Sequence, residues 1–240
     1  GTSSYIVAPY GQWSNPVMTP VEANSQGQSA DDDLLALWLM DGSTNLIYDR
    51  GSNESYLLKG SGSGGGYAQP FVVDGHVVVR YYPAFEKPEG WIWTRKRKIA
   101  EPLVQPAPEV ISDFRSDGQT LVWVQNPPKP VEGHGDYPPG NLWTSPFVTS
   151  KADIKATLRR PVPIVVESIA GGGHYAFYSP DNHIHVYRLA DAHHWDFALA
   201  PDMWNMFEMS YIDEKYVWFT TRAGLYRQPI STLGPGDPAP

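Results

Sequence analysis

Five times along this chain a short apolar strand starts at a nearly constant interval. The starts fall near Leu34, His76, Gln119, His174 and Tyr216, with spacings of 42, 43, 55 and 42 residues. The unit is clearest between residues 109 and 163. There Asp117-Gly118 is a two-residue turn signal, because glycine tolerates positive φ and aspartate bonds back to its own backbone. After the turn, Leu121, Trp123 and Gln125 point one way and Thr120, Val122 and Val124 the other. Both faces are mostly apolar, so the strand is expected to be covered on both sides. A Pro/Gly-rich loop over 126–140 leads to a third strand at 141–147 and a fourth at 156–162. This is a four-stranded meander.

The same order recurs. The first unit reads as strands at 34–40, 45–48 and 55–59, preceded by a weak strand near 17–21 and a long polar loop. The second reads as 68–73, 76–82, 90–94 and 99–104, and the fourth as 164–168, 174–178, 183–189 and 195–199. The fifth has three clear strands, at 207–212, 216–221 and 225–230. The one long step is explained by the 126–140 loop and a polar insert over 150–155. A twisted four-stranded sheet cannot bury both faces alone, and face-to-face packing around an axis solves that. Repeat periods near 42 residues are those of propeller blades. The expectation is an all-β, five-bladed β-propeller of four-stranded antiparallel blades. It forms a single domain over 1–232, followed by a Pro/Gly-rich tail at 233–240. Residues 4–8 (Ser-Tyr-Ile-Val-Ala) supply the missing strand and close the last blade.

Composition narrows the function. Aromatics at 13% against charged residues at 18% indicate a well-buried, strand-rich body, in which 23 Pro and 22 Gly supply turns. A net charge of -8 argues against a nucleic-acid partner, which needs surplus Lys and Arg. The absence of cysteine excludes disulfides and thiolate metal sites. It also fits an exported bacterial protein, so a periplasmic, outer-membrane-associated or secreted location is the expectation. No apolar run reaches the roughly 18 residues of a membrane-spanning helix.

The stretch Phe-Arg-Ser-Asp-Gly-Gln-Thr-Leu-Val-Trp at 114–123, followed by Asn-Leu-Trp-Thr at 141–144, resembles the repeat of TolB-type β-propellers. Tyr-Ser-Pro-Asp at 178–181 echoes it between the second and third strands of its unit, and Val73-Asp74-Gly75 and Leu225-Tyr226-Arg227 echo it more weakly. The resemblance covers most of residues 34–230 and implies blades. It carries no chemistry, and this chain is too short for the six blades and further domain of TolB itself.

Several clusters invite a chemical reading. Asp31-Asp32-Asp33 reads as a turn, since three successive side chains cannot face one ion. The glycine run 60–66 lacks the Lys-Ser/Thr ending of a phosphate loop. Arg95-Lys96-Arg97-Lys98 reads as a solvated edge that blocks strand pairing. His183 and His185 share a strand face without a carboxylate at matching spacing on that strand, so no metal and no cofactor are expected. A five-bladed glycoside hydrolase would use first-strand acids such as Asp113, Glu167 and Glu208, with Trp204 stacking on a sugar. A sugar-binding lectin is the other alternative, so a carbohydrate ligand stands as the second partner class. The blades diverge, which favours one protein partner over a repeated small ligand. The departures from the repeat are where such a partner would be met, and Tyr137, Pro138, Pro128 and Phe85 are the expected contact residues.

Overall fold

The computed structural model describes residues 3–7, 17–23, 25–39, 41–60, 65–83, 88–106, 108–127, 140–162, 167–171, 173–178, 183–198, 207–212, 215–221 and 224–238. They divide into two compact units, 1–107 with 149–153, and 108–148 with 154–240.

In the first unit β1 (Ser3–Val7) pairs antiparallel with β2 (Val17–Ala23). Two four-stranded antiparallel sheets follow in sequence order. One holds β3 (Ser25–Ala30), β4 (Leu34–Leu39), β5 (Thr44–Asp49) and β6 (Glu54–Lys59). The other holds β7 (Gly66–Val73), β8 (His76–Tyr82), β9 (Glu89–Thr94) and β10 (Ile99–Val104). The second unit has two more such sheets. β11 (Val110–Ser116), β12 (Thr120–Asn126), β13 (Gly140–Pro146) and β14 (Thr157–Val162) form one. β15 (Glu167–Gly171), β16 (His174–Tyr178), β17 (His183–Arg188) and β18 (His194–Ala198) form the other. A three-stranded sheet of β19 (Phe207–Ile212), β20 (Tyr216–Thr221) and β21 (Gly224–Pro229) completes it.

The second strands are covered on both faces, as their unbroken apolar runs demand. Val77, Val78 and Val79 are fully buried, and so are Leu121 to Val124. In the first unit Leu34, Ala36 and Ile47 of one sheet pack with Val72, Val77, Val79 and Trp93 of the next. In the second, Val122, Val124 and Leu142 meet Tyr175, Tyr187 and Leu189. The opposite face of that sheet puts Ala176, Ile184, Val186 and Trp195 against Ile212 and Val217. Each buried large side chain contributes about 1.5–3 kcal/mol.

One expectation is corrected, and two other segments are given their partners. The first strand of the 25–59 sheet is β3, within the stretch read as a loop. Its Ser-Gln-Gly-Gln-Ser-Ala sequence has no apolar periodicity, and it is held by backbone pairing to β4 with a bulge between Ser25 and Gly27. The strand near 17–21 is β2, and its partner is β1. The segment read as a tail is docked: Asp237 and His194 exchange two backbone hydrogen bonds, of 2.9 and 3.0 Å, and Leu233 packs on the Trp195 cluster.

One carboxylate bond recurs between neighbouring sheets. Asp31 Oδ1 accepts from the N–H groups of Asp33 (2.9 Å) and Leu34 (2.7 Å), tightening the β3–β4 turn. Its Oδ2 accepts from the Gly75 N–H (3.3 Å) in the β7–β8 turn. In the second unit Asp117 Oδ1 accepts from Gln119 (2.9 Å) and Thr120 (2.7 Å), and its Oδ2 from the Gly173 N–H (3.2 Å) in the β15–β16 turn. The two glycines have φ of 72° and 71°, with open space where a Cβ would stand, so backbone conformation alone calls for glycine.

Replacing Asp117 with Ala removes three acceptor contacts and is expected to cost about 1–3 kcal/mol. Asp32→Ala, at an exposed position, is expected to cost less than about 0.5 kcal/mol. Urea unfolding of the full chain compares them; equal midpoints would remove the Asp117 bond from the account of stability.

Candidate functional site

The meander puts the β11–β12 turn and the β13–β14 connection at one end of their sheet, and the end of β12 and start of β13 at the other. At the tight-turn end lies an open cleft of about 640 Å³. Asp117, Gln119 and Thr120 come from the turn, and Thr144, Ser145 and Pro146 from the end of β13. Thr157 and Arg159 come from β14, and Gly173, Leu189 and Ala190 from turns of the neighbouring sheet.

The β13–β14 ladder is irregular at Arg159. β13 and β14 match Leu142 with Arg160 and Trp143 with Leu158, so Arg159 is the extra residue of a bulge. Arg159 Nε donates to Thr144 Oγ1 at 2.8 Å, and Thr144 is buried. The floor beside it is fixed by Ser145, whose Oγ accepts from the Lys155 N–H (3.0 Å) and donates to the Pro146 carbonyl (3.1 Å). The titratable groups of the cleft are Asp117, whose oxygens take backbone N–H bonds, and Arg159. That arrangement suits binding a polar ligand rather than moving a proton. A proline two residues on, Pro161, was the available signal, because proline inside a strand marks an edge or a bulge.

The histidines form a column across β17 and β18. His183 and His185 stack with ring centroids 6.0 Å apart, and His185 stacks on His194 at 5.4 Å. His185 Nδ1 lies 3.1 Å from His194 Nε2, and His183 Nδ1 meets Asp196. That carboxylate comes from the adjacent strand, which same-strand spacing could not reveal. Among the described residues no three His, Cys, Asp or Glu converge on a metal position.

The basic run at 95–98 forms the β9–β10 turn, where Arg95, Arg97 and Lys98 all hold acids. Arg95 bonds both oxygens of Asp49, at 2.6 and 2.7 Å, and Asp33 at 2.8 Å. Lys98 Nζ holds Glu54 at 2.7 Å, and Arg97 pairs with Glu101. The Lys98 ammonium and the Tyr56 hydroxyl pull the Glu54 carboxyl down to about 2. Burial works against the charge of Asp49, but the Arg95 guanidinium and the N–H groups of Ser52 and Gly51 outweigh it and lower its pKa.

Of the first-strand acids, Asp113 is buried and held by the Tyr175 hydroxyl (3.4 Å) and Arg115 (3.3 Å). It does not stand open as a catalytic carboxylate would. The side chains of Glu167 and Glu208, and all of Trp204, lie outside the described residues, as do Tyr137, Pro138, Pro128 and Phe85.

No family model matches the sequence, and no curated protein does. Solved structures do. A chain of the nidogen–laminin complex matches with a TM-score of 0.60 at 7% identity, over 92% of this chain and 82% of that one. The β-propeller domain of the trilobed protease from Pyrococcus furiosus, described as having an open velcro topology, matches at 0.62 and 11% identity, over 99% and 74%. A prolyl endopeptidase matches at 0.52 and 16% identity, over 89% of this chain but 33% of its own. The chain is thus all-β, with four-stranded antiparallel sheets that match those of β-propeller domains.

Because the Asp49 pKa is lowered, its stabilisation is fully present above its ordinary value near 3.8 and is lost as pH falls through the folded-state value. Asp49→Asn is therefore expected to cost about 1–3 kcal/mol at pH 7, with the difference from wild type shrinking below about pH 4. Denaturation midpoints between pH 2 and 7 provide the check.

Proposed function

We propose that this chain is a non-catalytic, exported β-propeller scaffold that binds another protein through the loops at one rim. What carries the reading is that the repeat specifies blades alone, so a partner would be met where the chain departs from it, at 126–140, 12–33 and 60–66. The 127–139 loop joins β12 to β13, 84–87 lies between β8 and β9, and 61–64 lies between β6 and β7. Tyr137, Pro138, Pro128 and Phe85 are the contact residues of this reading; proline lowers the entropy lost on ordering, and aromatics anchor interfaces. A propeller-fold neighbour taken from a nidogen–laminin complex supports use of such a fold between proteins.

The reading includes a ring of five blades. In it, residues 4–8 add a fourth strand to the β19–β21 sheet, beyond the pairing of β1 with β2. Deleting residues 1–10 is expected to lower the thermal midpoint sharply, and an unchanged midpoint would exclude the closure. For the rim, wild type and a chain shortened between Pro127 and Pro139 are compared by pull-down from the native source. Partners captured by wild type and lost with the loop are expected. Identical capture, or none by either, would overturn the rim.

A further inference from the structure

We propose that the cleft around Arg159 binds a carboxylate, with the Arg159 guanidinium as its ion-pair partner. The inference does not depend on the rim reading, since the cleft lies at the β11–β12 turn, opposite the sheet end at which β12 stops and β13 starts.

The case begins with what Arg159 lacks. Arg95 grips Asp49 through Nε and Nη2, and Arg188 grips Asp191 through the same two nitrogens. Arg97 and Arg115 also hold carboxylates. Arg159 holds none among the described residues; its one described bond is Nε to Thr144. That bond orients the guanidinium plane and occupies one side of it. The Nη1–Nη2 edge remains, and its spacing matches the two oxygens of a carboxylate. Thr144 and Ser145 beneath it are each 2% exposed, so the ion pair would form over a dry floor where charge interactions strengthen. Thr157 pairs with Thr144, so Arg159, two residues on, lies on the Thr144 face of β14, and the adjoining bulge leaves it without a residue directly opposite on β13.

The charge of the ligand follows from the neighbours. Asp117 lines the same cleft, and its two oxygens are turned to the N–H groups of Gln119, Thr120 and Gly173. One cation beside one anion suits a monoanion. A phosphate dianion would face the Asp117 charge with a single guanidinium to offset it. The volume of about 640 Å³ admits a small molecule or a short stretch of peptide. The shared chemistry is the carboxylate, carried by a free small acid or by an acidic residue of a polypeptide.

The test is an NMR titration of the full-length ¹⁵N-labelled chain with four probes. These are sodium propionate, the blocked peptide acetyl-Ala-Ala-Glu-Ala-Ala-amide, its Gln counterpart, and inorganic phosphate. Propionate and the Glu peptide are expected to shift the amide signals of Thr120, Gly173 and Ala190, and the tighter of the two identifies the source. Arg159→Gln is expected to weaken the response about tenfold or more. Arg159→Lys is expected to fall between, because the fork is lost and the charge kept. Thr144→Val, which leaves Arg159 in place but unaligned, provides a second variant should Arg159→Gln fold poorly, and it too is expected to weaken binding. The proposal is overturned if no probe binds, if the Gln peptide or phosphate binds as well as the acids, or if folded variants respond like wild type. Failure of the pull-down would leave this titration intact, and failure here would leave the rim standing.

Discussion

A carboxylate shared between two turns ties one sheet to the next in each unit. A four-stranded sheet with two apolar faces gains its stability by being covered, yet apolar contact alone is non-directional and permits sliding. Asp31 and Asp117 remove that freedom. One oxygen is committed to the turn that carries the aspartate, and the other to a glycine N–H in the turn of the next sheet. The glycine presents its N–H because φ near 71–72° turns the backbone that way, which side chains disfavour. Registration between sheets is thereby tied to local turn geometry, and the valines and aromatics behind it pack in one arrangement.

That bond also explains why the repeat was legible and its details were not. Asp117-Gly118 announces a turn from local chemistry, and the apolar strands that follow announce burial. The sequence cannot show that Asp117 reaches Gly173, more than fifty residues on, because a turn signal says nothing about its neighbour. β3 was missed since Ser25–Ala30 has no apolar side to read; its order comes from backbone pairing with β4. Asp196 beside His183 is invisible to spacing along one strand, because ladders bring residues together across two. The docking of Asp237 onto His194 was hidden by a Pro/Gly composition that also describes linkers.

Charge shows the same dependence on partners. Four basic residues in a row suggest a patch, but three of them, Arg95, Arg97 and Lys98, hold acids in the folded unit. The acidic surplus of the chain supplies those acids, with Asp33 and Asp49 arriving from a neighbouring sheet. Arg95 thus does between sheets with an ion pair what Asp31 does with a backbone bond. Asp49 is buried beneath Arg95, so that pair holds geometry, while the exposed Lys98–Glu54 and Arg97–Glu101 pairs contribute little.

Arg159 stands outside this pattern of ion pairs, with the Thr144 hydroxyl in place of an acid. Thr144 pairs with Thr157, and strand alternation puts Arg159 on that same face, where its side chain reaches Thr144; the bulge leaves it without a residue directly opposite. Unpaired insertions disturb a ladder and persist where something else compensates. Here the compensation within the chain is one hydrogen bond to a hydroxyl, less than the two-nitrogen carboxylate grips that hold Arg95 and Arg188. The turns around the cleft are the best-tied parts of this sheet, through Asp117, Ser145 and the Phe147–Gln119 backbone bond (2.8 Å). A cation held at the edge of so well-fixed a frame is pre-organised, and the ordering cost of a ligand's counter-charge is correspondingly small.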